Sequence, residues 1–179
     1  MNQTRIATAC YGSLIAVVLV LSLASQAAAE PPSWDKQINN KSRFKVLDDF
    51  DGAAVLDRET GLVWEQSPDA KQTLNWFNAL IYCSQRAVGG RRGWRLPAIE
   101  ELASLEDPNN PGGDPDLPPG HPFSNVMTQG HWSATTDADF PVNALYAFFG
   151  DGEVDSAHKT FPHFAWCVRG GQGIDGVVQ

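Results

Sequence analysis

Apolar and polar positions alternate in short runs along most of this chain, interrupted by two helical stretches and one proline-rich break. Ala53-Ala54-Val55-Leu56 and Leu62-Val63-Trp64-Glu65 flank Asp57-Arg58-Glu59-Thr60-Gly61. Two apolar runs around an insert with Asp at one end and Gly at the other predict a β-hairpin, because glycine readily takes positive φ. The period then changes. Trp76, Ala79, Leu80, Cys83 and Ala87 recur at three- and four-residue steps, so a helix is expected with Thr73 as its cap and Gly89-Gly90 as its end. Cys83 falls on the buried stripe. A second helix is expected from Pro97 to Leu105, with Glu100 and Glu101 at its positive N-terminal end and Ile99, Leu102, Ala103 and Leu105 on its apolar side.

Residues 106–125 carry no period. The run from Glu106 to Gly120 contains five prolines and cannot sit inside a helix or sheet, because proline lacks the backbone donor. Strands resume at His131-Trp132-Ser133-Ala134-Thr135, at Val142 to Phe149, and, after a Gly150-Asp151-Gly152 turn, at Glu153-Val154-Asp155. A last strand is expected over Phe164 to Arg169, with Phe164, Trp166 and Val168 on one face and Ala165 and Cys167 on the other. Strands, two helices, a long loop and a closing meander make an α+β domain.

The first residues follow other rules. Arg5 precedes the apolar run Leu14 to Leu23, and Ala27-Ala28-Ala29 follows it. A charged start, an apolar middle and a small-residue exit predict a secretory signal peptide over 1–29. The run is shorter than the roughly 20 residues that span a bilayer, so no membrane span is expected after cleavage. A polar leader, 30–42, a folded domain, 43–171, and a flexible tail, 172–179, would follow. The full chain of 179 residues has 13 basic and 21 acidic side chains and a formal charge of −8. Loss of Arg5 makes the mature chain more acidic still. Such a balance argues against general nucleic-acid binding, which needs a Lys/Arg surface to release counterions. Export also leaves two of the three cysteines, Cys83 and Cys167. An even pair in an oxidising compartment predicts a disulfide, with two buried free thiols as the alternative. Closing a loop of about 84 residues would contribute at most roughly 4–5 kcal/mol.

Four segments in order, Thr60-Gly61-Leu62-Val63-Trp64, Gly93-Trp94-Arg95-Leu96-Pro97 with Glu100-Glu101-Leu102, Trp132-Ser133-Ala134-Thr135, and Cys167-Val168-Arg169-Gly170, resemble the Lcl C-terminal domain family. That family takes its name from the terminal domain of a bacterial collagen-like adhesin, and the resemblance spans roughly Arg43 to Gly171. It implies a C-type-lectin-like α+β fold with a long irregular loop, in an exported, periplasmic or secreted, adhesin-like binding module. The namesake domain is associated with sulfated polysaccharides. Two departures bear on that ligand: Trp166 stands where the family's closing motif would carry an arginine, and the mature chain is acidic.

The loop concentrates hard oxygen donors: Asp107, Asn109, Asn110, Asp114 and Asp116, with Asp137 and Asp139 beyond it. Calcium takes six to eight such oxygens, so calcium is the cofactor this composition admits. The alternative is a solvated loop whose Asp and Asn side chains bond their own backbone. Trp64, Trp76, Trp94 and Trp132 lie in apolar periodic segments and are expected in the core. The histidines show no zinc-ligand spacing. Arg91, Arg92, Arg95, Lys159 and Arg169 are the only candidates for an anion patch, though Arg95 and Arg169 could equally bridge carboxylates. No catalytic residue is assigned: a disulfide would consume both mature cysteines, and no serine stands in a nucleophile-elbow context. The expectation is therefore a non-enzymatic binding module that contacts carbohydrate or an extracellular protein through residues 106–139. The alternative is a structural or assembly subunit with a protein partner, with a small enzyme as the minority reading.

Overall fold

The computed structural model describes residues 40–107 and 114–170. The signal peptide, residues 30–39 of the leader, Asn109, Asn110 and the 172–179 tail lie outside the described residues. Helix α1 (Asn40–Arg43) leads into strand β1 (Phe44–Val46), and a single 3-10 turn, Asp48–Phe50, leads to the hairpin of β2 (Ala54–Asp57) and β3 (Val63–Glu65). That hairpin is antiparallel as expected, with Val55 opposite Trp64. Thr60 and Gly61 close it. The Thr60 hydroxyl accepts the Leu62 N–H at 3.3 Å, and Gly61 sits at φ 75°.

Helix α2 (Trp76–Gln85) buries Ala79 and Cys83 on the predicted stripe. Both of its ends differ from expectation. Asn75, not Thr73, caps the start, its side chain accepting the Asn78 N–H at 2.9 Å. The helix stops before Gly89-Gly90 because Arg86 takes ψ 144°, with its guanidinium bound to Glu65. Ala87 is consequently exposed and outside the helix. The two glycines serve a different purpose. Both have positive φ, 54° and 70°, and they turn the chain so that Val88 and Arg91 exchange backbone hydrogen bonds, as in a type I′ turn. Helix α3 (Ile99–Ala103) is shorter than predicted. Ala98 takes the cap position, and the Glu101 carboxylate accepts its N–H at 2.8 Å.

Strands β4 (Gly130–Thr136), β5 (Asn143–Phe148) and β6 (Glu153–His158) form an antiparallel meander. The other sheet runs β1-β2-β3-β7, where β7 is only Val168–Arg169. The expected last strand is therefore divided between two sheets. Phe164 bridges His131 of β4, and Val168 pairs with Trp64 of β3. Its alternation survives with a different meaning. Trp166 and Val168 enter one core with Val55, Trp64, Leu102, Phe123 and Phe149. Ala165 and Cys167 enter a second core with Ala79, Cys83, Trp94 and Trp132. A segment wedged between two cores is apolar on both faces.

Cys83 and Cys167 form the predicted disulfide, with their Cα atoms 5.4 Å apart. No helix among the described residues is long and apolar enough to cross a membrane.

The Gly89 turn yields a direct test. A Cβ on Gly89 would collide with the Phe50 carbonyl group, whereas one on Gly90 would meet open space. Gly90→Ala should cost about 1 kcal/mol, the ordinary price of left-handed backbone, and Gly89→Ala clearly more, read as urea midpoints. Equal costs would contradict the close approach.

Candidate functional site

The acidic candidates divide between two places. Asp107 and Asp116 are buried, and the Asp116 N–H donates to the Phe149 carbonyl at 2.7 Å, which sets it beside the β5–β6 turn. Glu106 and Asp151, which sequence reading passed over, join them. A Cβ on Gly152 would lie 3.1 Å from Asp116 Oδ2 and 3.5 Å from Glu106 Oε2. Burial, then the charges of Asp116 and Asp151, push the Glu106 carboxyl up to about 7. Burial and the charges of Asp107 and Asp151 raise Asp116. Asp114 is exposed.

Asp137 and Asp139 stand at the β4–β5 turn, the opposite end of six-residue β5, roughly 20 Å away at strand rise. Asp137 Oδ1 accepts the N–H groups of Asp139 and Phe140 at 3.0 and 3.2 Å. A hydrogen bond from Ser156 holds its carboxyl below the usual range. One ion cannot bridge both ends. Among the described residues, no three His, Cys, Asp or Glu side chains are placed to hold a metal ion.

The same β4–β5 end carries a surface that periodicity did not reveal. Phe77, Phe140, Val142 and Phe161 are 56%, 63%, 60% and 57% exposed. Lys159 stands among them: its Nζ donates to the Pro141 carbonyl at 2.9 Å and the Thr136 hydroxyl at 3.0 Å, and lies 4.3 Å from the Trp76 ring centroid. Trp76 in turn packs edge-on against Phe77 at 5.2 Å. Three of the four tryptophans expected in the core, Trp64, Trp94 and Trp132, are there. Trp76 is only half-buried and belongs to this face. Toward the other end of the meander, where Gly130 pairs with Phe148, a cleft of about 310 Å³ is lined by Tyr146, Phe148, His163 and Phe164, with Gln129 and Thr73 also on its wall.

The basic candidates converge only in part. Arg95 bridges Glu101 at 2.7 Å. Arg91 and Arg169 both approach the Phe50 ring, at 5.3 and 5.8 Å, and Arg169 lines an open cleft of about 450 Å³ with Val63 and Gly93. Asp48, Asp49 and Asp51 flank Phe50 in sequence and are exposed, which offsets that positive charge. Of the histidines, His131 is fully buried, and burial pushes it down to about 4, so it is neutral.

The four sequence motifs bind one another. In the meander, the Ala134 N–H donates to the Pro97 carbonyl at 2.7 Å, and the Thr135 hydroxyl accepts the Ile99 N–H at 3.0 Å. Arg95 and Val168 exchange backbone hydrogen bonds at 2.9 Å, and the Arg95 guanidinium reaches the Gly170 carbonyl at 2.7 Å. Val63 and Trp64 pair with Arg169 and Val168. Residues 53–169, well over half of the chain, match the family model described as Lcl C-terminal domain. The chain belongs to that family. No curated protein matches it. In this Lcl C-terminal domain the family motifs thus lock hairpin, helix, meander and closing segment together. Trp166, at the position where an arginine was expected, is fully buried against Trp64, Phe123 and Phe149 at 5.4, 4.9 and 5.6 Å.

The Glu106 environment sets a pH dependence. Its folded-state value lies above the ordinary 4.5, so the native protein holds a proton that the unfolded chain releases. The associated stabilisation is complete below about pH 4.5 and is lost as pH rises through about 7. Since Glu106 is only partly buried, solvent screening reduces the effect to about 1 kcal/mol. Urea unfolding of Glu106→Gln should lack this decline; an identical pH profile in the variant would contradict the assignment.

Proposed function

We propose that the chain is an exported, non-enzymatic binding module whose contact surface is the aromatic face at the β4–β5 end, and that it recognises carbohydrate outside the cytoplasm. The observation that carries the proposal is the concentration of exposed Phe77, Phe140, Val142 and Phe161 around Lys159. Large apolar side chains gathered on a surface mark a binding site more often than chance scatter. Exposed rings offer a flat, rigid contact to the C–H face of a sugar. Asp137 and Asp139, at the same turn, supply acceptors at its edge.

Export follows from the pattern of residues 1–29, and a disulfide joining Cys83 to Cys167 suits an oxidising compartment. The same bond leaves neither of these cysteines as a thiol nucleophile. Placement of that bond between the first long helix and the closing strand agrees with a C-type-lectin-like arrangement. An uncharged polysaccharide suits this acidic protein better than a sulfated one. A second reading, docking to a protein partner, is favoured by Val142 and by Ile81, also exposed, because aliphatic side chains have no ring to offer a sugar.

The test is a glycan array with and without calcium, run beside a Phe140→Ser/Phe161→Ser variant. Both residues are exposed, so the unfolding midpoint should stay unchanged while glycan binding falls about tenfold or more. Glycan binding that is identical in the variant, or absent from the parent protein, would overturn the carbohydrate reading.

A further inference from the structure

The cleft at the Gly130–Phe148 end of the meander has its own construction. Tyr146 of β5 and His163 lie nearly parallel, ring centroids 4.3 Å apart with 21° between planes. Trp132 braces His163 edge-on at 4.5 Å. His163 is pinned by its backbone, exchanging hydrogen bonds with Leu74 at 2.8 and 3.1 Å. The stack depends on Gly130: a Cβ there would lie 2.6 Å from His163 Nδ1 and 2.7 Å from Tyr146 Cδ2. Only glycine leaves room for both rings. The result is a set of aromatic walls held in place before any ligand arrives.

The lining also selects by charge. No Lys or Arg lines the cleft. Burial lowers the His163 imidazole, which is therefore neutral at pH 7. Asp155 accepts the Tyr146 hydroxyl at 3.4 Å on the exposed side of the strand. An anion would find no counter-charge here. Gln129 and Thr73, whose side chains can donate and accept, are polar residues of the wall. A volume of about 310 Å³ lies at the small end of ligand sites, which span roughly 300–1,000 Å³.

Building on the binding role proposed above, we infer that this cleft holds one uncharged pyranose residue of the glycan, its C–H face against the Tyr146 and Phe148 rings and its hydroxyls on Gln129 and Thr73. The exposed Phe140/Phe161 face then holds more distant residues of the same glycan, the chain running from exposed Phe161 directly into Pro162 of the cleft wall.

The two surfaces can be separated by experiment. The purified protein is titrated with glucose, galactose, N-acetylglucosamine, glucuronate and choline, each alone, while the His163 imidazole and Tyr146 ring are followed by NMR. Saturable shifts with at least one neutral sugar are expected. They should weaken about tenfold in a Thr73→Ala/Gln129→Ala variant, which loses two exposed hydrogen-bonding groups, and persist in Phe140→Ser/Phe161→Ser. Three results overturn the inference: no neutral sugar moves the rings, the Thr73/Gln129 variant titrates like the parent, or glucuronate or choline binds in place of neutral sugars. Polysaccharide binding that fails only in the phenylalanine variant would keep the face and remove the cleft. Cleft titration without polysaccharide binding would do the reverse.

Discussion

The closing segment from Phe164 to Arg169 holds this domain together. It bonds to β4 at one end and to β3 at the other, and so it joins two sheets that share no strand. Its side chains alternate between two cores. Two parallel ties fasten it to α2. One is the Cys83–Cys167 disulfide. The other runs through Glu65: Oε1 takes the Arg86 guanidinium at 2.6 Å, and Oε2 takes the Cys167 N–H at 3.0 Å. Burial raises the Glu65 carboxyl despite Arg86 beside it, so this polar contact is bought from desolvation and must be well made. Covalent and ionic links lie within a few residues of each other, on the same helix end and the same strand.

The other buried ion pairs follow the same plan. Arg43 grips Asp57 with two hydrogen bonds, 3.0 and 2.8 Å, and also reaches the Ser104 carbonyl past the end of α3. Arg95 joins Glu101 of α3 to Gly170. Each arginine spans elements that hydrophobic packing alone would leave free to slide. Family membership therefore reports a scaffold. The motif segments bond to one another across the elements they join, and a shared fold does not fix a shared ligand.

Much of the scaffold was legible in the sequence. The hairpin, Cys83 on the buried face of a helix, the three-strand meander and the cysteine pair follow from period, turn residues and cysteine arithmetic. Helix ends were less legible. Arg86 leaves the helix to meet Glu65, 21 residues earlier in the chain, and no local rule anticipates such a contact. The last strand was overextended because a wedge between two cores and a sheet strand show the same apolar alternation. Site residues were hardest. Composition grouped the carboxylates of 106–139, but a strand's length separates Asp116 from Asp137. Phe77, Phe140 and Phe161 were not singled out at all, since apolar character alone does not say which side of a surface a ring occupies. Gly130 carried no turn signature, and its value lies only in the two rings packed against it.

Hydrogen exchange on the native protein before and after mild reduction tests the dependence on the closing segment most directly. If Phe164–Arg169 ties the domain together, breaking the Cys83–Cys167 bond lowers protection in α2, β3 and β4 together, because both sheets lose the same anchor. Loss of protection confined to α2, with both sheets unchanged, or native material in which both sulfurs are already reduced, would contradict it.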